Sequence, residues 1–498
     1  MKTPAILDAI ERAGNKLPNP TVLFVVMSAV VVALSAVCAL LAISSTHPVT
    51  GEELRAVNLL SGEGLRLILA NTVKNFIGFA PVGSVLVAIM GIGVAEHSGL
   101  ISALLRATVL KAPRRLLTFS VVLAGVLSSV AMDTGYVVLI PLAALIFQAA
   151  GRHPLAGIAA AFAGVSGGYS ANILITPLDA ILAGISTEAA ALIEPNYLVH
   201  AASNYYFLVI STLLVSVVGT LVTEWVVCRR LRDSGNQQMT TDALSAKEKH
   251  GLIAVGVFTL VTIGFLLWGL LPLDGVLRDP QSQSILGSPV ITGIVTVIAI
   301  YAALAGILFG KISGNYQNSS QFVEGMEQNM ALLAGYLVLM FFAAQFVSYF
   351  AWSNLGAIIA INGAALLNGL DLNTGLVLVA FIFVTASINL FIGSASAKWA
   401  LIAPIFVPML MLNGISPEAT QMAFRIGDSS TNIITPLMPY VGVVIAFMQR
   451  YDKQAGIGTL VAMMLPYSLA FLLCWSTLFL FWILMDWPLG PGAHIFLR

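Results

Sequence analysis

Runs of about 20 apolar residues recur along the chain, and short polar segments separate them. A helix of that length crosses the hydrocarbon core of a bilayer, because each residue adds about 1.5 Å along the helix axis. The first run begins at Thr21, and the last extends over about 460–484. The pattern therefore predicts an all-α polytopic membrane protein.

Two apolar stretches are interrupted by polar residues and have limbs too short to span a bilayer. The first covers about 114–150, is broken at 128–136 and carries cations at both ends. Since Lys and Arg stay on the cytoplasmic side, we expect a re-entrant hairpin. The second covers about 374–412, and its tip has a similar layout. Irregular backbone at this depth must be buried in protein or line a wet cavity.

Two further apolar stretches contain nearly the same polar phrase. SANILITP occupies 170–177, and STNIITP occupies 430–436. A proline removes a backbone donor, and the residue before it avoids helical geometry. We therefore predict two broken helices, at about 154–185 and 418–448, which unwind near the membrane midplane.

The repeated order of hairpin and broken helix divides the chain into two inverted repeats. About nine transmembrane helices and two re-entrant hairpins are expected, with the broken helices meeting at a shared midplane site. Cationic loops place the N-terminus in the cytoplasm and the C-terminus in the periplasm. The predicted parts are a cytoplasmic N-terminal segment at 1–20, a first repeat at 21–228, a cytoplasmic loop at 229–250, a linker span at 251–272, an inverted second repeat at 288–485 and a periplasmic tail at 486–498.

Composition supports the membrane assignment and narrows the partners. Of the 498 residues, 58% are hydrophobic and 9% are charged, and the net charge is zero. A soluble protein of this length needs more charge on its surface, and neutrality gives no reason to expect a nucleic-acid partner. Membrane lipid and a small-molecule substrate are the expected partners, and no organic cofactor is predicted. No Gly-x4-Gly-Lys-Ser/Thr motif for ATP is present.

The polar phrases and hairpin tips predict two sites for a small hard cation, most consistent with Na+. Hydroxyl, amide, carboxylate and carbonyl oxygens are the ligands that such cations prefer. The alternative is that these side chains only satisfy the backbone of a broken helix. The first predicted site contains Ser128, Ser129, Asp133 and Asn172; the second contains Asn389, Ser394, Asp428 and Asn432.

Charged residues in the predicted midplane segments are costly in lipid and usually face a pathway. They are Asp133, Asp179, Lys398, Arg425 and Asp428. Arg425 suits a substrate carboxylate, because its guanidinium donates two parallel hydrogen bonds. Asp179 or Asp428 could take up a coupling proton or offset bound cations. A structural ion pair between Lys398 and Asp428 is the alternative.

Aromatic residues follow both hairpin tips. Trp399 lies beside Lys398, and Tyr136 has the matching place in the first repeat. Either ring could stack on an aromatic substrate, or both could simply pack in the interior.

Three long segments resemble the p-aminobenzoyl-glutamate transporter family, AbgT, of the ion transporter superfamily. They are SGGYSANILITPLDAIL from Ser166, NLFIGSASAKWALIAPIF from Asn389 and SPEATQMAFRIGDSSTNIITPLMPY from Ser416. The resemblance covers nearly the whole chain and implies a homodimer in the bacterial inner membrane, with a scaffold and a transport part in each subunit. It also implies a substrate pathway through Asp179, Asn389, Trp399, Pro417, Arg425 and Asp428.

The expected function is cation-coupled secondary transport, driven by Na+ or H+. The resemblance implies uptake of p-aminobenzoyl-glutamate-like folate fragments or export of sulfonamide antimetabolites, and we expect an elevator-type motion. An ion channel built on the two re-entrant loops is the alternative. An enzyme is not expected: RIGDS resembles the Gly-x-Gly-Asp of intramembrane aspartyl proteases, but Arg425 stands where the first glycine belongs.

Overall fold

A computed structural model describes most of the chain. The described residues are 20–46, 53–110, 116–131, 135–231, 244–272, 274–280, 283, 285, 288–369, 373–435, 438 and 440–497. The predicted cytoplasmic segment 1–20 lies almost wholly outside these residues, as does Asp133 of the first predicted cation site.

Six helices among the described residues are long and apolar enough to cross a membrane. They are Thr21–Leu40, Tyr205–Arg230, Ala246–Leu270, Ile294–Ser313, Ala334–Trp352 and Ile457–Leu484. A seventh candidate is the pair Val85–His97 and Leu100–Ala107, whose axes bend by 66° at the break. Shorter apolar helices of 10–17 residues occupy both predicted hairpins and the first half of the first predicted broken helix. The count of about nine spans therefore stays a prediction.

The described part of the first half has ten α-helices and a small antiparallel sheet. The sheet pairs β1 (Ser44–Thr46) with β2 (Glu53–Arg55). The helices are α1 (Pro20–Leu40), α2 (Gly62–Ile77), α3 (Ala80–His97), α4 (Leu100–Leu110), α5 (Leu117–Leu127), α6 (Ile140–Ala149), α7 (Pro154–Phe162), α8 (Pro177–Ala190), α9 (Tyr205–Val222) and α10 (Cys228–Arg230).

In the described part of the second half, the regular secondary structure is helical apart from isolated β-bridges. Its helices are α11 (Ala246–Leu270), α12 (Pro289–Thr292), α13 (Ile294–Ser313), α14 (Ser320–Leu332), α15 (Ala334–Trp352), α16 (Leu355–Gly369), α17 (Thr374–Asn389), α18 (Ala395–Met411), α19 (Pro417–Asn432), α20 (Val441–Gln449) and α21 (Ile457–Leu484). Helix α11 starts within the predicted loop 229–250, because Ser245 and Glu248 form a capping box there.

Helix α1 ends before the first apolar run does. The apolar residues continue toward Ser45, but Ala42 adopts a φ of 51° and Ile43 N donates to Cys38 O over 3.0 Å. This left-handed residue and backward hydrogen bond close the helix in the manner of a Schellman cap. The chain then pairs as β1 with β2.

Both predicted broken helices are interrupted where the polar phrases occur. After α7, a π-helical turn covers Ala163–Gly167, and regular helix resumes only at Pro177. In the second half, α19 ends at Asn432 and α20 begins at Val441. Proline at the first position of α8 and α19 fits the helix start, since that position has no amide partner to lose.

Glycine allows the broken helices to cross the first limbs of the hairpins closely. A Cβ on Gly427 of α19 would overlap Thr385 Oγ1 and Ile382 O of α17. A Cβ on Gly164 would likewise overlap Val122 O of α5. Both repeats therefore bring backbone against backbone beside the break.

A large buried cluster joins residues of both halves, and its largest fully buried side chains are Trp399, Trp475, Tyr136 and Tyr467. Helix α11 contributes no residue to that cluster, and only 11% of its most apolar 18-residue segment is buried. Its exposed aliphatic and aromatic side chains suit contact with lipid or another membrane protein.

The C-terminal tail is packed rather than extended away from the protein. Ile415 and Phe496 form an antiparallel bridge. Ser416 N donates to Ile495 O over 2.9 Å, and Ser416 Oγ donates to His494 O over 2.6 Å. The tail thus covers the residue that caps α19.

Candidate functional site

Helix α19 is the centre of the candidate site, and all 16 of its residues are buried. Ser416 caps it by accepting from Ala419 N over 3.1 Å. Gln421, Arg425, Asp428 and Asn432 recur at intervals of three and four residues, so they share one face of the helix. A buried face with so many polar groups requires partners on neighbouring elements.

Arg425 and Asp179 form a buried ion pair between the two repeats. Arg425 Nη2 lies 2.6 Å from Asp179 Oδ1, and the two side chains are 2% and 1% exposed. The other carboxylate oxygen of Asp179 accepts from Thr176 N over 2.6 Å and from Thr176 Oγ1 over 2.8 Å. Asp179 therefore caps α8 and neutralises Arg425 at the same time.

Two further contacts join the repeats on either side of this ion pair. Ser170 N donates to Ser429 Oγ over 3.1 Å, and Ser186 Oγ donates to Gln421 Oε1 over 2.7 Å. We call these two contacts and the Arg425–Asp179 pair the polar ladder. It connects the two broken helices directly.

The polar ladder still has unused hydrogen-bonding capacity. Arg425 Nη2 donates to Ser170 O over 3.1 Å, but Arg425 Nε has no hydrogen-bond partner among the described residues. The hydroxyl of Ser170 also has none there. Buried donors of this kind are costly unless a ligand or water satisfies them.

Trp399 packs against the polar ladder and is fully buried. Its Nε1 donates to Ser186 Oγ over 3.0 Å and to Leu182 O over 3.3 Å. Its ring lies 4.7 Å from that of Phe424, at an interplanar angle of 30°. The indole thus contacts both broken helices, next to Arg425.

Three members of the second predicted cation site lie together. Asn389 Nδ2 donates to Asp428 O over 2.6 Å and to Asn432 Oδ1 over 2.9 Å. The ammonium of Lys398 contacts both Asp428 Oδ1 and Asn389 Oδ1. We call Asn389, Asp428, Asn432 and Lys398 the second cluster.

Two predicted site residues have other surroundings. Ser394 caps α18 by accepting from Ala397 N over 3.4 Å, and its Oγ lies 3.3 Å from Ser396 Oγ. Neither contact joins the second cluster. Pro417 is the first residue of α19 and lies eight residues, or roughly 12 Å along the axis, before Arg425.

The first predicted cation site is built from neutral oxygens in its described part. Asn172 Nδ2 donates to Ser129 Oγ over 2.9 Å and to Val126 O over 3.3 Å, while Asn172 Oδ1 accepts from Leu174 N over 2.9 Å. Ser128 Oγ donates to Gly125 O over 2.6 Å. We call Ser128, Ser129 and Asn172 the first cluster. Oxygens of this kind are the ligands that a hard cation such as Na+ prefers. The Asn172 amide now donates to Ser129 Oγ and to the carbonyl oxygens of Val126 and Leu127, so a cation there would take the place of the neutral Nδ2 group.

The described residues contain no site of the usual kind for another metal ion, because no group of three His, Cys, Asp or Glu residues among them could hold one.

Tyr136 and Tyr440 stack with ring centroids 4.2 Å apart and an interplanar angle of 11°. Tyr136, which follows the tip of the first hairpin, thus contacts the residue before α20. Of the two aromatic residues singled out in the sequence, Trp399 adjoins the polar ladder, and Tyr136 packs on the second repeat.

Ser186 and Gln421 were not predicted from the sequence. Gln421 could have been predicted, because it precedes Arg425 by four residues on the same helical face. Ser186 could not, since its contact with Gln421 depends on packing between residues far apart in sequence.

Comparison with known proteins places this arrangement in one family. A model of the AbgT putative transporter family matches residues 5–497. The p-aminobenzoyl-glutamate transport protein of Escherichia coli (strain K12) is 37% identical over 486 residues, which cover 97% of this chain and 96% of that protein.

Two solved structures share the fold. The YdaH transporter of Alcanivorax borkumensis superposes with a TM-score of 0.92 at 50% identity, covering 95% of this chain and 100% of that one. MtrF of Neisseria gonorrhoeae represents a class of antimetabolite efflux pumps. It superposes with a TM-score of 0.93 at 45% identity, covering 98% of this chain and 100% of that one.

These findings confirm the predicted all-α polytopic membrane fold and the predicted class of function. The relatives are transporters of small molecules rather than enzymes. With a family match over nearly its whole length, this chain belongs to the AbgT transporter family.

Proposed function

We propose that this protein is a cation-coupled secondary transporter of aromatic carboxylates of the p-aminobenzoyl-glutamate type, or an exporter of sulfonamide antimetabolites. The observation that carries the proposal is the buried guanidinium of Arg425, which pairs with Asp179 of the other broken helix and whose Nε has no hydrogen-bond partner among the described residues. A guanidinium with unused donors is suited to a carboxylate or another planar anion.

The residues near Arg425 suit a substrate that has a carboxylate at one end and an aromatic ring at the other. Phe424 precedes Arg425 on α19, and its ring packs against that of Trp399, so a substrate ring would have to separate the two rings to stack on either of them. A ring bound there would gain stacking energy of about 0.5–1.5 kcal/mol beyond the burial of its surface. The E. coli relative is a p-aminobenzoyl-glutamate transport protein, and MtrF is associated with antimetabolite efflux.

The coupling cation is proposed to be Na+ bound at the first cluster, with H+ as the alternative. The ion would replace Asn172 Nδ2, which now donates to Ser129 Oγ and to the carbonyl oxygens of Val126 and Leu127. Rotation of the Asn172 amide would add its own oxygen to these ligands. Asp179 and Asp428 are the carboxylates that would take part if protons supply the energy.

The transport step is proposed to be an elevator movement within a homodimer. Trp399, Arg425 and Asp179 are at most 2% exposed, so a substrate reaches them only after neighbouring packing opens. The polar ladder joins the two broken helices, which favours their movement as one body against a dimeric scaffold in the bacterial inner membrane. The proposed orientation has a cytoplasmic N-terminus and a periplasmic C-terminus.

Transport in liposomes tests the substrate and the coupling ion together. Purified protein would be reconstituted, and accumulation of labelled p-aminobenzoyl-glutamate would be followed under a Na+ gradient and then under a pH gradient alone. Accumulation with Na+ only supports coupling through the first cluster, and accumulation with the pH gradient only moves coupling to the carboxylates. Flux that neither saturates nor accumulates substrate would favour the ion-channel alternative.

Replacement of Arg425 tests the carboxylate assignment. Arg425→Ala should lower uptake at least 100-fold, because a charged hydrogen bond of about 1.5–3 kcal/mol is lost and Asp179 loses its buried partner. Arg450→Ala removes an exposed arginine from the end of α20 and serves as the matched control. Wild-type uptake by a folded Arg425→Ala protein would contradict the assignment.

A further inference from the structure

Lys398 is a buried cation that the proposed transport cycle has not yet used. Its side chain is 1% exposed and lies on α18, where its ammonium reaches across to α17 and α19. It contacts Asp428 Oδ1 and Asn389 Oδ1. These are two of the oxygens that the sequence predicts as Na+ ligands.

The remaining oxygens of the second cluster are also engaged. Asn432 Oδ1 accepts from Asn389 Nδ2 over 2.9 Å, and Asp428 O accepts from the same amide over 2.6 Å. Asp428 Oδ2 lies 3.4 Å from Asn432 Nδ2. A Na+ ion could bind there only by displacing the ammonium, so the residues present do not fit a resident Na+.

At the positions that match this ion pair, the first repeat has glycines. Matching Tyr136 with Trp399 places Gly135 where the second repeat has Lys398. Matching Asn172 with Asn432 places Gly168 where the second repeat has Asp428. A Cβ on Gly135 would overlap Ser128 Oγ, so the first cluster has no room for a tethered cation at this position.

We propose that the ammonium of Lys398 is the permanent cation of the second cluster, which therefore binds no Na+, so that the first cluster alone is left for an external cation. Asp428 supplies the negative charge that this ammonium neutralises. This inference rests on the proposed cation coupling and specifies its stoichiometry. Each repeat would then hold one positive charge. In the second repeat it is the ammonium of Lys398, and in the first it is a cation taken up from solution.

Removal of the ammonium should convert the second cluster into a Na+ site. Without Lys398, Asp428 is a buried carboxylate with no partner, a state that strongly favours uptake of a replacement cation. Lys398→Met keeps much of the side-chain length and removes the charge. Lys311→Met makes the same change at the exposed end of α13 and serves as the matched control.

The test counts bound Na+ on purified protein, without substrate. Radioactive Na+ binding should show about one more ion per chain in Lys398→Met than in the wild type or in Lys311→Met. Na+ in place of choline should also raise the unfolding temperature of Lys398→Met by roughly 2–5 °C more than that of the wild type. The double variant Lys398→Met with Asp428→Asn removes both charges and should lose the additional ion.

Three outcomes would overturn the proposal: two Na+ ions per wild-type chain, a folded Lys398→Met protein that binds no additional Na+, or additional Na+ in the double variant. The wild-type count needs no variant, so it decides the question even if Lys398→Met does not fold. If the wild type binds no Na+ and Lys398→Met binds one, the role of Lys398 is supported while Na+ coupling at the first cluster fails.

Discussion

At the scale of residues, the site is defined by pairs of opposite charge that neutralise each other inside the protein. Arg425 with Asp179 and Lys398 with Asp428 are both buried. Because an unpaired buried charge costs several kcal/mol, each partner holds the other in place. A substrate carboxylate at Arg425 would therefore compete with Asp179 for the same guanidinium.

The sequence predicted Asp179, Arg425 and Asp428 from their charge in apolar surroundings. It predicted Asn389 and Asn432 as cation ligands from a hairpin tip and a polar phrase, and the structure brings these five residues to neighbouring positions on α8, α17 and α19. It could not exclude Ser394, because a serine that caps a helix and a serine that binds a cation occur in the same polar context. Hydrogen-bond geometry separates the two cases.

Two serines at the hairpin tips should differ in their effect on Na+ dependence. Ser129→Ala removes an oxygen that contacts Asn172 and should raise the Na+ concentration for half-maximal uptake about 5–10-fold, as expected for about 1 kcal/mol. Ser394→Ala, the matched change at the other tip, should alter it less than twofold. Uptake measured over a series of Na+ concentrations checks both, and an equal effect of the two variants would contradict the assignment of the first cluster.

At the scale of elements, glycine and proline in the sequence predicted where the helices break. The interruptions after Gly167 and Asn432 coincide with the two polar phrases. The end of α1 was harder to predict, because an apolar run does not show where a left-handed residue such as Ala42 stops the helix. Apolar pattern indicates burial in lipid, whereas helix ends depend on local hydrogen bonds.

The crossing of α19 with α17 should not tolerate a larger residue. Gly427→Ala places a methyl group against Thr385 and Ile382 and should destabilise the protein by about 1–3 kcal/mol. Gly442→Ala, in the other half of the same broken helix, meets no atom within 4 Å and should be neutral or slightly stabilising. Thermal unfolding in detergent checks the difference, and equal stability of the two variants would show that the crossing adjusts freely.

At the scale of the whole molecule, the two repeats meet through the polar ladder rather than across an open cleft. The repeated phrases allowed this meeting of the two halves to be predicted, since inverted repeats place their broken helices at a common site. They did not predict Ser186 with Gln421, whose contact depends on how the halves dock. Nor did the sequence predict that the tail 486–498 would pack against α19, because a short bridge such as Ile415–Phe496 has no local pattern.

Crosslinking can distinguish movement of the broken helices together from movement against each other. If α8 and α19 move as one body, oxidation of a Ser186→Cys, Gln421→Cys double variant should change its own uptake less than twofold relative to its reduced form. We assign α3 to the scaffold against which α8 moves; a disulfide between these two helices, which pack side by side, should then stop uptake until it is reduced. The opposite result for the two crosslinks would rule out the elevator movement.

The packed tail also has a consequence for biosynthesis. Ser416, which caps α19, donates from its amide to Ile495 O and from its hydroxyl to His494 O. His494 follows Ser416 by 78 residues, so the ribosome synthesises these acceptors after α19, α20 and α21. The start of the helix that carries Arg425 therefore reaches its final arrangement only after this later part of the chain has been made and has folded back onto it.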